Sequence, residues 1–599
     1  MKKLLSVLSD KSIYMIYALG TVGLCWIGVW RDIGDGAQWA LANNCVGFCL
    51  FPMILCRLKI KDFFARPYYI WVIIWAFAFI PLYKLLAPGT DYDAQIWSAL
   101  INLGLYGLIT IRLYFYIFVE KKVNIKKLSI VFWLWLVMML LCIISVNEAK
   151  WPLWYLVMFG ALYLIQVNAT DYKKSVCGVT DGIIISFFWI QIRAFLYRPY
   201  DSGPSYIGHF TNANVNGMFY LLSLAAVLAK LWCFSHDKRD FLSKHGKIFK
   251  CILYVLSVAI LDFVYFTGSR SAFLGVFGMI AVYLIAEFFV SEKKLARRLV
   301  ACFCRGLIIA ISFIVLLYPV YACARYIPAL RHHPVWYRDY DENKVHSWDP
   351  IDSPKYTTFE MAVGGGLIQR AKSMLSISNH AQLRNDIPLH EAFCFPSVGY
   401  QINVLDNIIM ISNAIRTQDY PGGKWVLEYD DGVEPGTDEN HWAFLVNKEG
   451  IYSIGYSQMP FPGERRYIWK YVIERLNFFG HPELYMQIYV DQCYGHAHNS
   501  FLQIGYCFGI IPGIVFLFLI LSGIVYSFKT IACCSNDQNK SVNDNKTDNY
   551  LLFPYVLTLV FFTGFLVYGM FECLVLTGNF LFSCLFLMIG ILSHKNNRV

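Results

Sequence analysis

Apolar runs long enough to cross a bilayer, about 17–25 residues, alternate with short polar connections along the first 323 residues. They fall near 12–30, 38–56, 67–87, 95–119, 128–146, 151–168, 177–197, 213–234, 249–267, 270–290 and 299–323. After a long polar interval they resume near 499–526, 550–571 and 574–593. The pattern predicts an all-α polytopic membrane protein of about fourteen helices. It also divides the chain into three parts. Residues 1–323 form a membrane block of about eleven helices, and 324–495 one large polar segment. Residues 496–599 form a second membrane block of about three helices, split by an Asn/Asp/Lys-rich linker at 535–549.

The polar segment is too long for a simple connection, so a fold of its own, of mixed α/β content, is expected there. Strand-rich runs at 424–429 and 441–446, flanking a turn-forming run of Asp, Gly, Glu and Pro, read as a hairpin with a long loop. They belong to a β-rich insertion near 385–460. The stretch 465–478 reads as a helix, because Tyr467, Ile468, Tyr471, Val472 and Leu476 recur at helical spacing. Gly364, Gly365 and Gly366 are not a phosphate loop, since no GKS or GKT follows.

Composition agrees with the pattern. Hydrophobic residues make up 57% of the 599 and charged residues only 15%, where soluble domains carry nearer a quarter charged. Tyr and Trp crowd the ends of many runs, as interfacial rings do. The amino-terminal Lys2, Lys3 and Lys11 before an apolar run resemble a signal peptide, but no small-residue cleavage site follows, and a retained first helix is the expectation.

Lysine and arginine fall on alternate connections: Arg57 to Arg66, Lys121 to Lys127, Lys173 and Lys174, Lys238 to Lys250, Lys293 to Arg298, then Lys529 to Lys546. The intervening connections are poor in base, and 87–94 holds Asp91 and Asp93. By the positive-inside rule both termini are cytoplasmic and 324–495 is extracytoplasmic. The net charge of +10 is therefore mostly an anchoring signal, and nucleic acid is not an expected partner. Most of the eighteen cysteines lie within apolar runs. Cys394 and Cys493 fall in the external segment and could bridge, though spacing alone does not decide it.

Four clusters of chemical interest are assigned to one membrane face: Gly208-His209-Phe210-Thr211-Asn212-Ala213-Asn214, Thr267-Gly268-Ser269-Arg270-Ser271, Glu464-Arg465-Arg466-Tyr467-Ile468-Trp469, and Gly495-His496-Ala497-His498-Asn499-Ser500. Each also has a purely structural reading. Asn212 and Asn214 suit a helix cap, Arg270 suits a lipid headgroup, and Arg465 with Arg466 suits a solvated helix face. His496 and His498 suit interfacial hydrogen bonding, and a His-x-His zinc site lacks further ligands nearby. The functional reading gives them complementary tasks. Guanidinium forks hold a diphosphate without a metal, and an imidazole takes a proton from an attacking hydroxyl.

The motif His498-Asn499-Ser500-Phe501-Leu502-Gln503, followed by Gly509-Ile510-Ile511-Pro512-Gly513, resembles the signature of the O-antigen ligase and polymerase superfamily. The Ser269-Arg270 turn, the Arg465-x-x-x-Trp469 element and the 208–214 segment are similar to further motifs of that family. The likeness covers about residues 205–525 as short motifs. The first 200 residues agree in hydropathy alone. It departs in the β-rich insertion and in Phe479-Gly480-His481-Pro482, where the family carries Gly-x-Gly.

The resemblance implies a GT-C-like fold in a bacterial plasma membrane and metal-independent transfer of a glycan from undecaprenyl diphosphate at the outer face. No cofactor is expected. His498 would be the general base, with Arg465 and Arg270 on the diphosphate. Asn214, Asn499, Ser269, Arg466 and His496 would contact substrate. Ligation to a glycan or glycolipid acceptor and polymerisation of repeat units are the same reaction on different acceptors. An exporter of lipid-linked sugars would use the same arginines for translocation, but transporters are commonly built from repeats with midplane sites.

Overall fold

The computed structural model describes residues 2–32, 36–56, 69–70, 73, 104, 106–147, 151–166, 169, 172–197, 206–210, 212–236, 240–291, 295–330, 335–339, 344–348, 402–405, 408–411, 415–420, 423–428, 443–447, 450–454, 465–482, 486–489, 492–494, 496–540, 552–573 and 580–594. They divide into two compact units. One comprises Met1–Val335, Leu476–Leu484 and His498–Val599, and the other Trp336–Arg475 and Tyr485–Ala497.

The first unit is helical: α1 (Lys2–Asp32), α2 (Gly36–Leu55), α3 (Tyr106–Val119), α4 (Ile130–Ile144), α5 (Trp151–Gln166), α6 (Tyr172–Tyr197), α7 (Ala213–His236), α8 (Asp240–Thr267), α9 (Arg270–Val290) and α10 (Leu295–Leu330). After the second unit's α11 (Arg465–Glu474) come α12 (Ser500–Phe508), α13 (Ile510–Lys540), α14 (Phe553–Gly569) and α15 (Phe580–Leu592). Among the described residues seven helices are long and apolar enough to cross a membrane: α1, α6, α7, α8, α9, α10 and α13. The chain is a helical membrane protein.

Burial ranks these helices. The spanning window of α7 is 83% buried and that of α10 is 0% buried, so α7 lies in the centre of the bundle and α10 at its rim. The shorter α14 packs against α7, α9 and α13. Helices α7 and α9 approach at Gly217, where an added Cβ would stand 2.8 Å from the Ala272 Cβ. That is closer than two carbons tolerate, so glycine sets this crossing. The charges of Lys230 and Asp181 inside the spans are paired: Lys230 on α7 lies 2.8 Å from Asp181 on α6, and the Tyr14 hydroxyl on α1 donates to the same carboxylate at 2.8 Å. Pairing removes most of the penalty of placing charge among apolar helices.

The apolar run 499–526, expected as one span, is two helices. Gly509 breaks it with φ +112°, a conformation that costs glycine little, and Pro512 then sits in the first turn of α13, where its missing N–H is tolerated. The segment before α12 is strapped to this break. The Ile510 amide donates to the Asn477 carbonyl at 2.8 Å and the His481 amide to the Cys507 carbonyl at 3.2 Å. The His481 ring stacks on Tyr506 at 4.0 Å.

In the second unit β1 (Ile415–Tyr420), β2 (Gly423–Glu428), β3 (Ala443–Asn447) and β4 (Gly450–Ile454) form an antiparallel four-stranded sheet in sequential order. Trp425 stands opposite Leu445 across β2 and β3. Three two-stranded ribbons pair 335–339 with 344–348, 402–405 with 408–411 and 486–489 with 492–494. Helix α11 buries Ile468 and Val472, one turn apart on a single face. Cys394 lies outside the described residues, and Cys493 is described only as part of a strand.

Candidate active site

Helix α12 begins with a side-chain cap. Asn499 precedes its first residue, and its Oδ1 accepts from the amides of Phe501 and Leu502, both at 3.0 Å. Two of the orphan N–H groups that every helix start exposes are thereby satisfied. The other end of the same amide reaches across the bundle, where Nδ2 donates to the Met570 carbonyl at 2.9 Å. Ser500 follows the same course, its Oγ donating to the Glu572 carbonyl at 2.9 Å. The start of α12 thus closes the carbonyl end of α14, positive pole against negative pole. Replacing Asn499 with alanine should cost about 1–2 kcal/mol, since it removes a cap and the hydrogen bond to the Met570 carbonyl. Thermal unfolding of the purified chain measures this, and an unchanged Tm would contradict it.

His498 stands immediately before this cap with φ +46°. A residue with a Cβ pays to occupy that region, and such residues concentrate where the surrounding fold dictates a functional placement. Its Nδ1 lies 3.3 Å from Oε2 of Glu572, with the imidazole 29% and the carboxylate 4% exposed. One group meets solvent and the other does not. An ionised carboxylate only accepts, so with Glu572 ionised Nδ1 carries the hydrogen in this contact, and Nε2 is the accepting nitrogen of the neutral ring. The arrangement is that of a histidine oriented by a buried acid.

Glu572 is fixed by its own backbone as well as by Ser500. Its amide donates to the Tyr568 carbonyl at 2.9 Å. The Tyr568 hydroxyl in turn donates to the backbone carbonyl of Asn214 at 2.8 Å, which ties the end of α14 to the first turn of α7. Asn212 caps that turn, its Oδ1 accepting from the Asn214 amide at 2.7 Å. The glycine contact at position 217 brings the start of α9 against the same turn, with the Ser269 Cβ at 3.6 Å from the position a Cβ would occupy. Ser269 caps α9, its Oγ accepting from the Ala272 amide at 3.4 Å. Arg270, the first residue of α9, is half-buried and has no hydrogen bond or ion pair among the described residues.

In the first unit, contacts with α14 and the residues that follow it tie the start of α7, at Asn214, to the start of α12, at Asn499, while Ser269 and Arg270 open α9 beside α7. The capping contacts of Asn499 and Ser269 are made within the fold, and Asn214 takes part through its backbone. Arg465 and Arg466 open α11 in the second unit, with side chains outside the described residues. His496 is half-buried in that unit. There the Trp469 indole donates to the Ala497 carbonyl at 3.0 Å, anchoring the residue that precedes His498 in the chain.

Sequence reasoning missed Glu572 and Tyr568. The signal for Glu572 was available, because it is the single carboxylate in residues 550–599, and a lone acid between apolar runs is a functional candidate. Among the described residues no group of three or more His, Cys, Asp and Glu side chains is placed to hold a metal ion. No protein-family model matches the chain, and no curated protein or solved structure matches it.

Proposed function

We propose that the chain is a membrane glycan transferase of the O-antigen ligase type, moving a glycan from a polyprenyl diphosphate to a hydroxyl acceptor. The observation that carries this reading is His498, an imidazole in left-handed backbone, oriented by the buried Glu572 at the bundle end that also holds Ser269 and Arg270. The alternation of basic connections supports about fourteen spans with this end on the outer face of a bacterial plasma membrane.

In this mechanism Nε2 of His498 takes the proton of the acceptor hydroxyl. The acceptor oxygen attacks the anomeric carbon, and the bond from that carbon to the diphosphate oxygen breaks. The diphosphate leaves on its lipid with the bonding pair, and Arg270 offsets its growing charge. Glu572 stabilises the imidazolium until its proton passes to solvent. Polymerisation of repeat units follows the same steps with another glycan chain as acceptor.

Removing Arg270 tests the diphosphate contact. Arg270→Ala should lower transfer by about 10- to 100-fold, the worth of a hydrogen bond to a charged group. Arg270→Lys should recover only part of it, because an ammonium lacks the fork. The assay is transfer from a lipid-linked glycan donor in membranes at matched protein levels. Parental transfer by the alanine variant would remove Arg270 from the site.

A further inference from the structure

The break at Gly509 carries an exposed apolar turn with it. Residues 476–482 read Leu-Asn-Phe-Phe-Gly-His-Pro and hold no Asp, Glu, Lys or Arg. Asn477 folds them tightly, its Oδ1 accepting from the amides of Phe479 at 2.9 Å and Gly480 at 2.5 Å. Asparagine favours such turns because its side chain bonds the backbone two residues on. Gly480 completes the turn with φ +81°, and a Cβ there would collide with the Cys507 carbonyl. Phe478 and Phe479 are left 69% and 68% exposed.

The bundle fixes this turn from two sides. On one, the Val146 amide just past α4 donates to the Phe479 carbonyl at 3.0 Å, and Asn147 Nδ2 donates to the His481 carbonyl at 2.7 Å. On the other, the Asn477 carbonyl accepts from the Ile510 amide at the start of α13. Two adjacent phenylalanines held on a rigid turn form an exposed apolar patch, and such patches mark a contact surface.

The helices on either side indicate what covers the rings. Helices α4 and α13 pack against each other. On α4 the exposed large apolar residues are Ile130, Trp133, Val137, Leu140, Ile143 and Ile144. On α13 they are Ile511, Ile514, Phe518, Leu521 and Val525. Spacings of three and four place each set along one helix face. Because α13 is long and apolar enough to cross a membrane, these stripes face hydrocarbon. They reach Ile144 and Ile511, beside the backbone anchors of the turn, so Phe478 and Phe479 continue a lipid-facing surface past the helix ends. Residues 128–147 and 508–528 hold no charged side chain that would recognise a polar partner instead. We infer that the 477–481 turn inserts into the membrane, its two phenylalanines entering the boundary between headgroups and acyl chains. Aromatic rings are favoured at that depth, and a preformed turn enters without an ordering cost. The inference is independent of the transfer reaction.

The test places the photoreactive p-benzoylphenylalanine at position 478, 479 or 518 of the full chain, one at a time. Each chain is reconstituted in phosphatidylglycerol–phosphatidylcholine vesicles and irradiated, and the adducts are mapped by mass spectrometry. All three side chains are exposed, so each variant should keep the parental Tm. Position 518 on the α13 stripe is the lipid-facing reference, ~12 Å along the helix from the anchor at Ile510. Positions 478 and 479 should capture acyl chains in yields within about threefold of that reference, at carbons nearer the glycerol. No lipid adduct at either position while 518 captures lipid would overturn the inference. So would adducts at 478 and 479 confined to peptides, which would make the turn a protein contact, or attachment as deep in the acyl chain as at 518.

Discussion

Replacing His498 with glycine should lower glycan transfer on the order of 10²–10⁴-fold, the contribution of a positioned general base, and give a fold that melts above that of the alanine variant at the same position. The two effects separate because the residue does two things. In the proposed mechanism its side chain supplies the base, while its backbone adopts φ +46°, which a glycine takes up without the steric cost of a Cβ, about 1 kcal/mol. The contacts that close α12 onto α14 belong to Asn499 and Ser500 and survive the change. Alanine at the same position should lose transfer equally and keep the backbone strain, so the glycine variant should melt higher than the alanine variant. Transfer in membranes and Tm of the purified proteins check both. A glycine variant that transfers like the parent would show that the imidazole is not the base.

Glu572→Gln should be nearly as damaging, on the order of 10²–10⁴-fold in kcat, since neutralising the acid that orients a catalytic histidine has effects of that size. Glutamine preserves the shape of the side chain and leaves the backbone contacts to Ser500 and Tyr568 in place, so the fold should be retained. In the proposed mechanism Glu572 is a positioning residue, meeting the reaction only through His498. Its loss should therefore appear in kcat with KM close to that of the parent. A change confined to KM, or a loss matched by a lower Tm, would assign Glu572 a structural task instead.

What the sequence made legible follows from where each signal is stored. Apolar runs mark the helices of the first unit because burial in lipid or core needs continuous apolar residues. The same continuity hid the break at Gly509, which depends on one backbone angle within an unbroken apolar stretch. The caps of α7, α9 and α12 could be read from Asn212, Ser269 and Asn499, whose side chains act on amides two or three residues away. The contact between His498 and Glu572 spans 74 residues, and no local pattern records it. Nor does any local pattern record that Tyr568 reaches Asn214 across 354 positions. Such pairings arise from packing, here from the path of α14 between α7 and α9. The placement of Arg465 was legible only as a helix start, since the task of a guanidinium depends on what lies opposite it in space.

The most direct test reconstitutes the purified chain in liposomes with a polyprenyl-diphosphate-linked glycan and a hydroxyl acceptor, in the presence of a chelator. Free polyprenyl diphosphate and glycosylated acceptor are followed together. The expected result is release of one lipid diphosphate for each glycan transferred, in the parent and not in His498→Gly. Donor that stays intact, or that crosses the bilayer with its sugar–phosphate bond unbroken, would contradict the transferase reading.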